Sequence, residues 1–95
     1  MIESEKYLEK MLVERIKLLG GLCLKLLCTH FTGLPDRMCL LPGGKIFFAE
    51  IKTTGFTPSP RQIWVKNKLT QLGFNVYIID NSSLLKKLTG DDTSI

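Results

Sequence analysis

Asp36 and, beyond thirteen intervening residues, Glu50-Ile51-Lys52 are the positions of this chain whose types and spacing suit chemistry. Glu50 and Lys52 are two apart, so on a strand both side chains leave the same sheet face. A carboxylate and an ammonium on one face of an apolar strand are costly when buried and unpaired. Two carboxylates offer hard oxygens to Mg²⁺ or Mn²⁺, and carboxylate oxygens accept both. Mg²⁺ keeps several of its waters, and a metal-held water beside a polarised phosphate has a lowered pKa. A neighbouring lysine orients that water or offsets charge in the transition state. The set therefore suits metal-dependent hydrolysis of a phosphodiester. Taken alone, an Asp followed at free spacing by Glu-x-Lys is weak, and its plain alternative is a turn aspartate with a surface Glu–Lys pair.

The elements that must position these residues can be read around them. Segments 36–41 and 45–52 flank Pro42-Gly43-Gly44, which predicts a β-hairpin. Ile46, Phe47, Phe48, Ala49 and Ile51 make its second strand apolar on both faces, as in the middle of a sheet. A three-residue loop opposes Leu41 to Lys45 and, further along, Asp36 to Glu50. Facing carboxylates repel and persist where a cation sits between them. A two-residue turn at Gly43-Gly44 instead points Asp36 away unless a bulge intervenes.

Upstream, Leu8, Leu12, Ile16 and Leu19, widened by Met11, predict a helix over 3–19 that Gly20-Gly21 stops. Residues 22–27 fit a strand and 28–35 a loop. After a loop at 53–58, Ser59-Pro60-Arg61-Gln62 gives an N-cap, a first-turn proline and a glutamine three after the cap. The helix then runs to Leu72, with Gly73 as its stop and Val65, Leu69 and Leu72, preceded by Gln62, as the inward stripe. Residues 74–80 read as a strand and 82–89 as a short helix. The order α-β-β-β-α-β-α implies an α/β class fold of the α+β kind, a mixed sheet carrying helices, with a right-handed parallel crossover before the last strand.

Composition sets bounds on the rest. The 95 residues, 10.7 kDa, allow one domain, 1–95, with 90–95 as a flexible tail. At 44% apolar and 23% charged residues, intrinsic disorder is excluded for most of the chain. Apolar runs are too short for a membrane helix. Met1-Ile2-Glu3-Ser4-Glu5 has neither a basic nor an apolar leader region, so no signal peptide is expected. Cys23, Cys28 and Cys39, with His30 as the single histidine, have the wrong spacing for zinc and read as reduced thiols of a cytoplasmic protein. The net charge of +4 permits a nucleic-acid partner without demanding one.

Beyond these readings, the sequence resembles the PD-(D/E)XK nuclease superfamily and, within it, the virus-type replication-repair nuclease (VRR-NUC) domain. The resemblance is carried by Glu5, Gly20-Gly21, Lys25, Gly33-Leu34-Pro35-Asp36-Arg37, Leu41-Pro42-Gly43-Gly44, Phe48-Ala49-Glu50-Ile51-Lys52, Ser59-Pro60-Arg61-Gln62 and Leu72-Gly73-Phe74. It covers residues 5 to about 80, and the size is similar to that of stand-alone phage and prophage members. It implies a restriction-endonuclease-like core. Asp36 and Glu50 are implied as metal ligands, with the backbone carbonyl of Ile51 completing the shell, and Lys52 as the catalytic lysine. Glu5, with Glu9 as the alternative, matches the first-helix glutamate, and Gln62 matches the glutamine that follows Glu-x-Lys.

Several side chains carry two readings. Gln62 serves either a capping box or the site. Lys25 alternates with Leu24 and Leu26 and is expected toward the site, or is merely solvated. Arg37 contacts phosphate or forms a surface ion pair. Thr53 and Arg61, with threonines 29, 32, 54 and 57, are candidate DNA contacts. His30 reads as a loop residue. Trp64 and Ile63 are expected at a subunit contact or in intrachain packing. Together these imply a Mg²⁺- or Mn²⁺-dependent DNA endonuclease, cytoplasmic, homodimeric and structure-selective on branched DNA such as four-way junctions. The competing readings are a non-catalytic nucleic-acid-binding module and a nonspecific nicking nuclease.

Overall fold

The structure, a computed structural model, describes residues 4–53, 55 and 57–90. Residue 3 of the expected first helix, Thr54 and all of the expected tail but Gly90 lie outside the described residues.

Helix α1 spans Glu5–Leu18 and opens on Ser4, whose Oγ accepts from the Tyr7 N–H. Its Leu8, Leu12 and Ile16 recur one turn apart and are fully buried. The stripe ends there, since Leu19 lies past the last turn and is exposed. Strand β1 is Leu22–Lys25, shorter than the expected 22–27 because one further ladder bond, Leu26 N–H to Asp36 O, ends its pairing. Strands β2 (Arg37–Leu41) and β3 (Lys45–Ile51) form the hairpin. Its loop is the three-residue form, a single 3₁₀ turn at Pro42–Gly44 in which Gly43 and Gly44 take φ of +84° and +77°. Side chains rarely tolerate those values, so the two glycines fix the loop length and with it the register.

Helix α2 is Pro60–Gln71, strand β4 is Asn75–Ile79, and helix α3 is Ser82–Leu88. The strands lie in the order β1-β2-β3-β4; β4 pairs parallel to β3 and the other pairs are antiparallel. This is the expected mixed sheet and element order.

Alternation along the strands sorts the faces. Cys39, Phe47, Ala49, Ile51 and Ile79 point to one side and pack with Leu8, Leu12 and Ile16 of α1 and Leu85 of α3. That cluster is the core. On the other side α2 covers β4, burying Val65, while Phe48 meets Phe74 edge-on at 5.7 Å. Only Val65 of the expected inward stripe is buried: Leu69 is partly covered and Leu72 is exposed. Beyond α2, Leu22, Leu24 and Ile46 stay open to solvent on this face. The three cysteines are free; Cys23 and Cys39 face each other across β1 and β2 with sulfurs 3.9 Å apart. Among the described residues no helix is long and apolar enough to cross a membrane.

Candidate active site

The hairpin register runs from Leu41 opposite Lys45 to Arg37 opposite Ala49. One step further sets Asp36 across from Glu50, so no bulge is needed to bring the carboxylates to one face. Asp36 has left the ladder proper, and its side chain takes over: the Ile51 N–H donates to Asp36 Oδ2 at 3.0 Å. An extended residue directs its N–H and C=O to the same side. The Ile51 carbonyl therefore faces the same gap as the Asp36 carboxylate, while the next peptide turns the other way, Lys52 N–H donating to Ile79 O at 3.0 Å.

Glu50 is only 7% exposed, although it is an acid on a central strand. Its nearest cation is Lys52, with Nζ 3.8 Å from Oε2. Burial pushes the Glu50 pKa above the usual carboxylate range, and the Asp36 charge adds to the rise. Lys52 and a backbone hydrogen bond from Asp36 pull it down, and Glu5 raises it slightly. The surroundings thus leave a carboxylate partly uncompensated beside another. Among the described residues no cluster of three or more His, Cys, Asp or Glu side chains encloses a metal position. Two carboxylates and a carbonyl nevertheless fit Mg²⁺, which takes one or two carboxylates and keeps waters for its other positions.

The other expected site residues divide. Glu5, at the start of α1, accepts from the Thr53 N–H at 3.3 Å and adds its charge to the field at Glu50. Glu9, one turn on, is drawn elsewhere: Arg37 Nη2 lies 2.7 Å and Nε 2.9 Å from Glu9 Oε2. Arg37 is thus ion-paired on the α1 face. Lys25, expected toward the carboxylates, lies across from Arg37 and so projects from that same face, away from Asp36 and Glu50. Strand alternation decides this, and the sequence alone could not pair the strands.

Gln62 satisfies both of its readings. The Ser59 N–H donates to Gln62 Oε1 at 2.8 Å and the Gln62 N–H to Ser59 Oγ at 3.1 Å, a complete capping box. It also lines a cavity of about 160 Å³ whose wall includes Glu50, Pro35, Ile63, Lys66 and Val76. Lys66 and Asn67 were not anticipated there, although Lys66 lies one helical turn beyond Gln62 and that spacing could have found it. Arg61, one turn before the buried Val65, faces the loop at Thr32-Gly33 with its guanidinium over the rings of Phe31 and Trp64. His30, Thr29, Thr32 and Thr57 are exposed.

Comparison with known proteins agrees with this fold. No family model matches the chain. It is 38% identical over 80 residues to "Putative nuclease p44" of Acyrthosiphon pisum secondary endosymbiont phage 1, covering 84% of this chain and 86% of that protein. A solved structure described as "VRR_NUC domain" superposes with a TM-score of 0.81 at 33% identity, covering 88% of this chain and 91% of that one. Identity at this level over nearly the full length of both relatives, on the same mixed sheet, shows that the chain belongs to the virus-type replication-repair nuclease (VRR-NUC) family.

Proposed function

We propose that the protein is a divalent-metal-dependent endonuclease acting on DNA, and that Asp36, Glu50 and the Ile51 carbonyl hold Mg²⁺ or Mn²⁺. The observation that carries this reading is the opposition of Asp36 and Glu50 across β2 and β3, with Lys52 beside Glu50. The metal, when bound, supplies a polarised phosphate and an acidified water. Asp36 is held in place by the Ile51 N–H. Glu50 brings a buried charge that a cation neutralises. Lys52 leaves the same face as Glu50 and orients the attacking water or offsets charge on the phosphate. Glu5 closes the open end of the strand pair through Thr53, and Gln62 lines the same cavity as Glu50. Thr53 and Arg61 contact the DNA backbone, and the +4 net charge favours its approach.

A non-catalytic DNA-binding module is the less favoured reading, because placing two carboxylates against phosphate without a metal weakens binding. The deciding assay is cleavage of a panel of linear duplex, single strand, flap and four-way junction with Mg²⁺, Mn²⁺ or EDTA. Asp36→Asn keeps an oxygen for the Ile51 N–H, so it retains the fold and loses cleavage. Wild-type activity in that variant, or cleavage undiminished in EDTA, overturns the assignment.

Selectivity for branched DNA calls for two sites facing two strands, and a homodimer provides them. Leu22, Leu40 and Ile46 form a row across β1, β2 and β3, and Leu22 and Ile46 are exposed. A second copy packing on this open face buries it. Sedimentation equilibrium should return twice 10.7 kDa for the wild type and about that monomer mass for Leu22→Lys; a monomeric wild type at micromolar concentration removes this part. The protein would meet its substrate in the cytoplasm.

A further inference from the structure

Phe31, Arg61 and Trp64 form a cluster that the hydrolytic residues do not use. The Arg61 guanidinium carbon lies 4.7 Å from the centre of the Phe31 ring and 4.9 Å from that of Trp64. Arg61 Nε donates to the Thr32 carbonyl at 3.1 Å, which ties the guanidinium to the loop that carries Phe31. That loop comes this close because residue 33 is glycine. Its φ is +87°, and a Cβ there would stand 2.8 Å from Arg61 Cγ and 3.1 Å from the Arg61 carbonyl oxygen. Arg61 and Trp64 are three apart on α2 and so are neighbours on its surface.

The cluster is built yet open. Phe31 is 40% exposed and Trp64 51%, and Ile63, which precedes Trp64, is also open. An exposed aromatic pair held by a buttressed cation is costly to display in water and suits a planar apolar partner. Its place narrows the choice of partner. Gly33, on which Arg61 packs, and Ile63, beside Trp64 in sequence, line the same cavity as Gln62 and Glu50, so the cluster borders the wall of the carboxylate cavity.

We propose that Phe31, Arg61 and Trp64 form a stacking platform for an unpaired nucleobase of the DNA strand engaged at Asp36 and Glu50. The choice of strand rests on the nuclease reading; the stacking chemistry does not. Every base offers a π-face, so stacking on an aromatic side chain is tolerant of sequence. The guanidinium adds cation–π attraction and draws the neighbouring phosphate. In a continuous duplex the bases already stack on one another. The platform therefore selects DNA with a single-stranded or unstacked nucleotide next to the cut.

Trp64 is the single tryptophan of the chain and reports on the platform directly. The test uses the full chain in EDTA, so that no cleavage intervenes, with four probes: an oligothymidine, a blunt duplex, that duplex with a single-stranded overhang, and inorganic polyphosphate. Binding is followed in parallel by anisotropy of a labelled strand. Oligothymidine and the overhang should quench Trp64 emission strongly, and the blunt duplex and inorganic polyphosphate should not. Trp64→Ala should weaken overhang binding by about five- to a hundredfold relative to the blunt duplex, and Trp64→Phe should restore most of it. Phe31→Ala, checked for folding by circular dichroism, gives a second, independent loss.

Unchanged Trp64 emission at saturating overhang DNA overturns the proposal and leaves the cluster as loop packing only. Emission that shifts with protein concentration, together with a dimer that Trp64→Ala dissociates, also overturns it, because a second copy then covers the platform. The outcomes separate from those of the nuclease reading. Quenching without metal-dependent cleavage retains the platform and removes the nuclease, whereas cleavage without quenching does the reverse.

Discussion

Replacing Glu50 by glutamine should make the metal-free protein more stable while ending cleavage. Lys52 Nζ lies 3.8 Å from Glu50 Oε2, worth about 4 kcal/mol of attraction at an effective dielectric of ~20. Asp36 is directly opposed, ~5 Å away by cross-strand geometry, and repels by about 3 kcal/mol at the same dielectric. These two nearly cancel, and solvent around the Lys52 ammonium weakens the attraction further. The desolvation of a 7% exposed carboxylate is left over, still several kcal/mol after relaxation. Glutamine keeps the volume and drops the charge, so we expect a gain of about 1–2 kcal/mol, or roughly 5–15 °C in Tm. The pH dependence has a definite sign. Burial and then the Asp36 charge raise the folded pKa of Glu50 above its unfolded value. Between those values the folded chain holds a proton that the unfolded chain has released, so this contribution to stability falls as pH rises. In EDTA the margin of Glu50→Gln over wild type should therefore be larger at pH ~7.5 than at pH ~5. Mg²⁺ at ten times its dissociation constant should add about 1.4 kcal/mol to the wild type and nothing to the variant. Thermal unfolding with and without metal measures all three. A variant less stable than wild type in EDTA at neutral pH would refute the reasoning, since the Lys52 pair would then outweigh desolvation.

Two other substitutions test separate parts of the structure. Lys52→Ala should lower the single-turnover cleavage rate by about 10²–10⁴-fold while DNA affinity changes little; reduced affinity at an unchanged rate would make Lys52 a phosphate anchor only. Gly33→Ala should destabilise by about 1–3 kcal/mol, because it combines a φ of +87° with contacts of 2.8 Å to Arg61 Cγ and 3.1 Å to Val65 Cγ2; urea unfolding that shows no loss would mean the loop moves away from α2 at no cost.

What the sequence made legible follows from how local each cause is. The α1 stripe from Leu8 to Ile16, the capping box at Ser59 and the hairpin are set by residues within one or two turns of each other, and all three stand in the structure. Loop length at Pro42–Gly44 stayed open between two forms because either places glycine correctly; the 3₁₀ turn and its two positive-φ glycines fix it. Leu72 looked inward by periodicity and is exposed, because α2 is covered over its middle and not at its end. Lys25 could be oriented only once β1 was paired to β2. Glu5 and Glu9 share a helix face, and the long-range partners Thr53 and Arg37 separate them. The Phe31–Arg61–Trp64 cluster joins a loop to a helix thirty residues later, a distance over which no pattern runs.

The bond from the Ile51 N–H to Asp36 Oδ2 has an entropic consequence for the proposed metal site. A free surface carboxylate must stop rotating before it can ligate, and that ordering weakens the affinity of every metal it meets. Asp36 is already immobilised when the sheet forms, so its ordering is complete before any ligand arrives and the site is preorganised. The same bond makes side-chain length critical. Glutamate at position 36, one methylene longer, cannot keep both the Ile51 N–H and the same carboxylate position opposite Glu50. Conserved charge at this corner would not conserve the site; the geometry demands an aspartate, because that side chain also stands in for a missing backbone acceptor at the end of a strand.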